Sequence, residues 1–163
     1  MPSPLPIDIS LWDFSLHYYA QPGVSHACIA LQDGQGVNVN VLLWALWLAH
    51  RGHKLEEELL GQAIEVIGDW DRKYVVPLRQ LRRQMKIEFG IANTAVEKVR
   101  AQIKQAELFA EKHLLKLLED ATPAIPPKVV ADTRKLMQEN LCLYLQPLGI
   151  DEVHSTPLIT LLK

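Results

Sequence analysis

Residues 31–52 read LQDGQGVNVNVLLWALWLAHRG. An acid and four amides (Gln32, Asp33, Gln35, Asn38 and Asn40) open directly onto one of the most apolar segments of the chain. Val41, Leu42, Leu43, Leu46 and Leu48 leave no polar face on a helix, so this helix belongs at the centre of a bundle. Asn38 or Asn40 is placed to cap its start with an amide oxygen. Gly52 ends it, with His50 and Arg51 in the last turn, where positive charge suits the helix dipole. The polar run before it has two readings, turn-and-cap chemistry or the wall of a polar pocket.

Helical spacing continues on both sides. The leader to Ile9 is proline-rich and extended. Ser10 and Asp13 form a variant capping box for a helix over about 11–20, and Pro22 suits the first turn of a second helix running to about Gln32. A fourth helix starts at Leu55 with Glu56, Glu57 and Glu58 at its acid-favouring end. Gly61 and Gly68 inside it suggest close packing or a break near Gly68. From Asp69 the chain reads as a further helix with Pro77 near its start or at a kink. Thr94 with Glu97 is a capping box that opens a long helix to about Asp120. Its apolar positions (Val96, Val99, Ile103, Ala106, Ala110, Leu114, Leu117) recur near every 3.5 residues. After the stiff TPAIPP linker a last helix spans about 128–145. No strand pattern and no repeat is present.

The expectation is an all-α, single-domain helical bundle over residues 1–163 with a long C-terminal helical hairpin, and with residues 147–163 as a docked or mobile tail. The stripe over 96–117 suits an intramolecular hairpin or a homodimer equally well. At 163 residues the chain can bury a core without staples. Cys28 and Cys142 are too few and too far apart for a disulfide framework or a zinc site, and both sit among apolar neighbours. The N-terminal MPSPLPIDIS lacks the basic and apolar regions of a signal peptide, and the longest apolar run is too short to span a bilayer. A reducing cytoplasm is the expected compartment.

Chemistry concentrates in two segments. One holds Gln32, Asp33, Asn38 and Asn40; the other runs from Trp70 through Arg79, Arg82 and Arg83. Arg79, Arg82, Arg83 and Lys86 fall at i, i+3, i+4 and i+7, one helical face. Such a face either lies solvated or grips a phosphate, a carboxylate or an acidic partner helix. Trp12, Trp44, Trp47 and Trp70 read first as core packing; the sharper alternative, a tryptophan lining a partner groove, fits Trp70. His50 and His53 have ligand spacing, but Gly52 between them breaks the helix. Glu65, Asp69 and Asp71 are a single acidic cluster interrupted by Gly68. No metal and no cofactor is expected from either. No nucleophile elbow, phosphate loop or spaced Cys/His set is present.

The successions ACIALQDGQGVNVNVLLWALWLA (27–49) and WDRKYVVPLRQLRRQMK (70–86) resemble a proteobacterial family of about this length, known only as a domain of unknown function. The resemblance is most specific at Leu31, Gln32, Asp33, Gly36, Val39, Asn40, Trp47, Leu48, Pro77, Leu78 and Arg79. Asn38 stands where the family pattern has an aspartate. The resemblance implies a small bacterial cytoplasmic protein and supplies no activity, cofactor or catalytic residue.

Two functions from different classes follow. The first is a non-enzymatic interaction module that contacts an acidic protein through the Arg79/Arg82/Arg83 face and the Trp70 region. The second is a small-molecule binder or enzyme in which Gln32, Asp33, Asn38 and Asn40 join the arginines around a closed pocket. RNA is disfavoured, because no aromatics interleave with those arginines.

Overall fold

A computed structural model describes residues 3–150 and residue 158. Seven α-helices and no strand occur among them: α1 Leu11–Tyr19, α2 Val24–Gln35, α3 Val39–His50, α4 Glu57–Trp70, α5 Val76–Phe89, α6 Thr94–Ala121 and α7 Thr133–Leu145. The chain is all-α. None of the described helices is long and apolar enough to cross a membrane.

The apolar run decides the architecture as its composition requires. Every residue of α3 from Val39 to Ala49 is buried, and α1, α2, α6 and α7 pack around it. The Asn38 side chain caps it, accepting from the Asn40 N–H at 3.0 Å. Its far end closes as a Schellman turn, in which Gly52 N–H donates to the Ala49 carbonyl and His53 N–H to the Leu48 carbonyl. Tryptophan N–H groups tie the core to its surroundings. Trp44 donates to the Thr122 hydroxyl at 2.9 Å and Trp47 to the Ile9 carbonyl at 2.8 Å. Cys28 is buried, and burial pushes its thiol up to about 12, which leaves it unreactive at neutral pH.

Helix ends follow local chemistry with two shifts. Ser10 accepts from the Asp13 N–H, as its capping-box spacing requires. At the start of α6, however, Asn93 accepts from Val96 N–H, and Glu97 turns to Arg100 instead of closing a box with Thr94. The last helix begins at Thr133, capped by Asp132, later than its apolar pattern suggests, because prolines at 123, 126 and 127 keep the preceding segment extended.

The expected long hairpin is not seen as a pairing of the last two helices. The C-terminal α7 packs mainly along α3, whereas α6 runs against α4 and α5. Those two helices are one rod from Glu57 to Phe89, joined by a π-helical turn over Asp71–Val75. Gly68 does not break it, and Gly61 and Gly68 have nothing within 4 Å of where a side chain would begin. The irregularity comes at the π-turn, where Val76 N–H reaches back five residues to the Asp71 carbonyl. Pro77 explains it: in a regular helix its ring would collide with the Lys73 carbonyl, and a widened turn makes room.

That turn resets the helix phase. One inserted residue rotates everything after it by about 100°. Leu60, Ala63 and Ile67 face the core in α4, and regular spacing would carry that line to Tyr74, Leu78 and Leu81. Instead Val75 is buried and Tyr74 and Leu81 are exposed, while Leu78 stays partly buried against the core. Arg79 and Arg82 rotate toward α6 in their place.

Of the tail, Leu158 is buried, and its carbonyl accepts from the Tyr18 hydroxyl at 3.1 Å. The rest of the tail expected as docked or mobile, 151–157 and 159–163, lies outside the described residues.

Candidate binding groove

The two segments that carry chemistry in the sequence meet in part. An open groove of about 700 Å³ runs between α2 on one side and the α5–α6 pair on the other. Gln32 and Asp33 form the α2 wall, and Arg79, Arg82, Arg83 and Lys86 line the opposite side. Arg83 donates across the gap to Asp33 at 2.8 Å, tying α5 to α2. Asn38 and Asn40 are not in the groove. Asn38 caps α3, its N–H donates to the Tyr144 hydroxyl at 2.9 Å, and Asn40 is buried. Trp70 also lies elsewhere, its Nε1–H donating to the Ala110 carbonyl at 2.9 Å while its ring meets Tyr74 and His113. The cap reading holds for Asn38, and the polar corner divides between cap and groove. A closed pocket formed by all four polar residues does not exist in this arrangement.

The floor is a paired network. Arg82 holds Glu107 with two guanidinium nitrogens, and Arg79 reaches Glu107 at 3.4 Å and Glu111 at 2.8 Å. The Glu107 side chain is only 7% exposed, so this is a largely desolvated charge cluster. Its donors satisfy its acceptors, which is what makes such a cluster tolerable in a low-dielectric site. The hydrogen bond to Glu107 raises Arg82 above the ordinary guanidinium value. Burial pushes Glu111 above the usual carboxylate range, with Arg79 opposing the shift. Tyr19, over the same floor, is raised by burial first and by neighbouring negative charge second.

Two arginines of the stripe are therefore committed within the chain: their acidic partner helix is α6. Charge on the rim remains available. Arg83 is 39% exposed, and neither Lys86 nor Lys104 forms an ion pair within 4 Å among the described residues. Five cationic side chains line the groove against three carboxylates, an excess of two positive charges on a chain whose net charge is −2. Ile29, Ile87 and Leu108 add apolar surface, with Ile87 80% exposed.

Residues 10–118 match a family described as protein of unknown function (DUF2390). The chain belongs to that family. Every residue lining the groove falls inside the matched span of this DUF2390 member. No curated protein and no solved structure matches the chain.

Glu107, Glu111, Tyr19 and Lys104 escaped the sequence reading. The available signal was the spacing of Glu107 and Glu111, four apart on a helix that must bury one face. Among the described residues no group of three or more His, Cys, Asp and Glu side chains gathers to hold a metal.

Removing Glu107 tests the network. Glu107→Ala leaves Arg82 without its bidentate partner and Arg79 with Glu111 alone. Breaking a buried pair costs about 3–5 kcal/mol when the survivor stays trapped. Here both arginines can turn into the open groove, so about 2 kcal/mol is expected. The loss should appear as faster hydrogen exchange of α5 amides with α3 amides unchanged. Equal loss across both helices would show a global role in its place.

Proposed function

We propose that this protein is a non-enzymatic interaction module that seats an acidic, amphipathic helical segment of another protein in the α2/α5–α6 groove. The observation that carries the reading is the excess of cationic over acidic side chains along an open groove whose rim also exposes Ile29 and Ile87. An open trough suits an extended polypeptide better than a small molecule, which binds where most of its surface is enclosed. Arg83 already grips one carboxylate, the half-exposed Asp33, and a partner carboxylate can take that place. The Arg79–Glu107–Arg82 floor keeps the trough rigid, so little ordering cost falls on binding. An amphipathic helix laid in a groove is a recurrent mode of recognition, with apolar anchors at helical spacing and charge at the margins.

The test is titration of the full chain with a fluorescently labelled acidic amphipathic peptide, read by anisotropy at low and high salt. Saturable binding that weakens with salt supports the reading. Lys86→Glu combined with Lys104→Glu should weaken it by about tenfold or more, since each reversal replaces attraction at the rim by repulsion. Amide shifts should map to 29–33, 83–87 and 104–108. Binding indifferent to both reversals, or shifts confined elsewhere, would remove the groove from consideration.

A further inference from the structure

We infer that Asp33 is a built-in competitor for Arg83: its carboxylate latches the groove, and an acidic partner binds by displacing it. This inference rests on the groove reading above and names how that same site is regulated.

The position of Asp33 in the sequence does not serve its own helix. It stands in the last turn of α2, where the unpaired carbonyls gather negative charge, and no basic residue shares that turn. A carboxylate is disfavoured at that end of a helix. What it finds there is Arg83, whose guanidinium donates to its Oδ1 at 2.8 Å across the groove. The helix α2 otherwise packs on α1 and α3. Among the described residues no other ion pair ties it to α5 or α6.

The bridge differs from the network on the groove floor. Glu107 is desolvated and held by both of its arginines, whereas the side chains of Arg83 and Asp33 are 39% and 46% exposed. Water reaches both ends, so the pair is weak and exchanges readily. It competes nonetheless, because a carboxylate on the same chain has a high effective concentration at Arg83. A partner carboxylate therefore exchanges one ion pair for another and gains little from charge alone. Its advantage has to come from apolar contact, and an exposed isoleucine lies one turn away on each wall: Ile29 from Asp33, and Ile87 from Arg83. The latch thus sets specificity. A segment that brings a carboxylate together with apolar side chains at helical spacing displaces Asp33. A free anion, which brings charge only, gains nothing from the exchange.

The same exchange fixes the response to salt. In the wild-type chain Arg83 is paired both before and after binding, so its share of the salt dependence cancels. Without the charge on Asp33 a new ion pair forms on binding, and screening acts on it in full.

Anisotropy titration of the full chain with the labelled acidic amphipathic peptide, run as a double-mutant cycle, tests the latch. Asp33→Asn keeps the side-chain shape, relieves the end of α2 and leaves five cations against two carboxylates along the groove. It should tighten binding by about fivefold and steepen the loss of affinity with salt. In an Arg83→Gln background the same substitution should bring about twofold or less, because only general repulsion is left to remove. An equal gain in both backgrounds would make Asp33 a generic repulsive charge and overturn the latch. So would an affinity that Asp33→Asn leaves unchanged or weakens. In either case the groove reading stands if Lys86→Glu with Lys104→Glu still weakens binding. Absence of saturable binding by both the wild-type chain and Asp33→Asn overturns the groove reading and the latch with it. Asp33→Ala repeats the cycle without an amide that can accept from Arg83, and circular dichroism checks that each variant keeps its helicity.

Discussion

Asn140→Leu is expected to destabilise the chain by about 4 kcal/mol, measured as a lowered urea midpoint with an unchanged slope. Asn140 is fully buried on α7, and its amide makes three hydrogen bonds to backbone groups, two of them in the turn after α3 and the third inside α3. Its oxygen accepts from Leu55 N–H at 2.8 Å, and its nitrogen donates to the Ala45 and His53 carbonyls at 3.0 Å each. Leucine has similar volume, so packing changes little. The Ala45 carbonyl keeps its place in the helix. What remains is one donor, Leu55 N–H, and one acceptor, the His53 carbonyl, that lose their partner. Each costs about 1–3 kcal/mol when left unsatisfied in the interior, about 2–6 kcal/mol together. Partial relaxation of the turn brings the sum to the middle of that range. Asn140→Asp separates the donor from the acceptor role. A carboxylate still accepts from Leu55 but faces two carbonyl oxygens, so burial raises its folded pKa above its unfolded one. Stability of that variant should therefore be greatest at low pH and fall as pH rises through the folded value. A loss under 1 kcal/mol for Asn140→Leu would show that water reaches the turn.

Much of this fold is legible in the sequence, and the exceptions have a common cause. The composition of 39–49 admits only a central helix, and it is one. Asn38, Gly52 and Ser10 do what their side chains or lack of one allow. The partner of α6 is not legible, because an apolar stripe states that a partner exists without naming it. Connection length favours the nearer choice in either direction, and the stiff 122–127 segment gives no sign that it carries the chain away to α3. The basic stripe is legible as a face but not as a destination. Arg79 and Arg82 read as outward because Tyr74, Leu78, Leu81 and Met85 hold the positions that normally turn inward. A π-turn reverses that assignment, and its only mark in the sequence is a proline inside a helical pattern, which is equally the mark of a kink. Glu107 and Glu111 were hidden for the same reason. Carboxylates on a long charged helix look solvated until the arginines opposite them are known to face inward.

Gly52→Ala is expected to cost about 3 kcal/mol, and its origin lies in the same turn that Asn140 holds. Gly52 has φ +80°, as the Schellman turn at the end of α3 requires. Any β-carbon there carries about 1–2 kcal/mol of left-handed strain. It would also stand 2.0 Å from the Lys128 carbonyl oxygen, a backbone atom that cannot swing aside. Lys128 N–H donates to the Arg51 carbonyl at 3.0 Å, and Arg51 reaches the Ile125 carbonyl at 3.4 Å. The 125–128 segment is thus laced directly onto the turn, and adding a methyl group forces the lacing open. Gly36→Ala separates the two contributions. Gly36 ends α2 at φ +68° with open space around it, so alanine there should cost only the strain, about 1 kcal/mol. The difference between the two thermal midpoints then measures the close approach of residues 52 and 128. Equal losses would mean that the linker moves freely and that Gly52 serves its helix end alone. A larger loss at Gly52 would place the linker among the parts that fix where α4 begins. That start sets the direction of the Glu57–Phe89 rod, and through it the position of every cation that faces the groove.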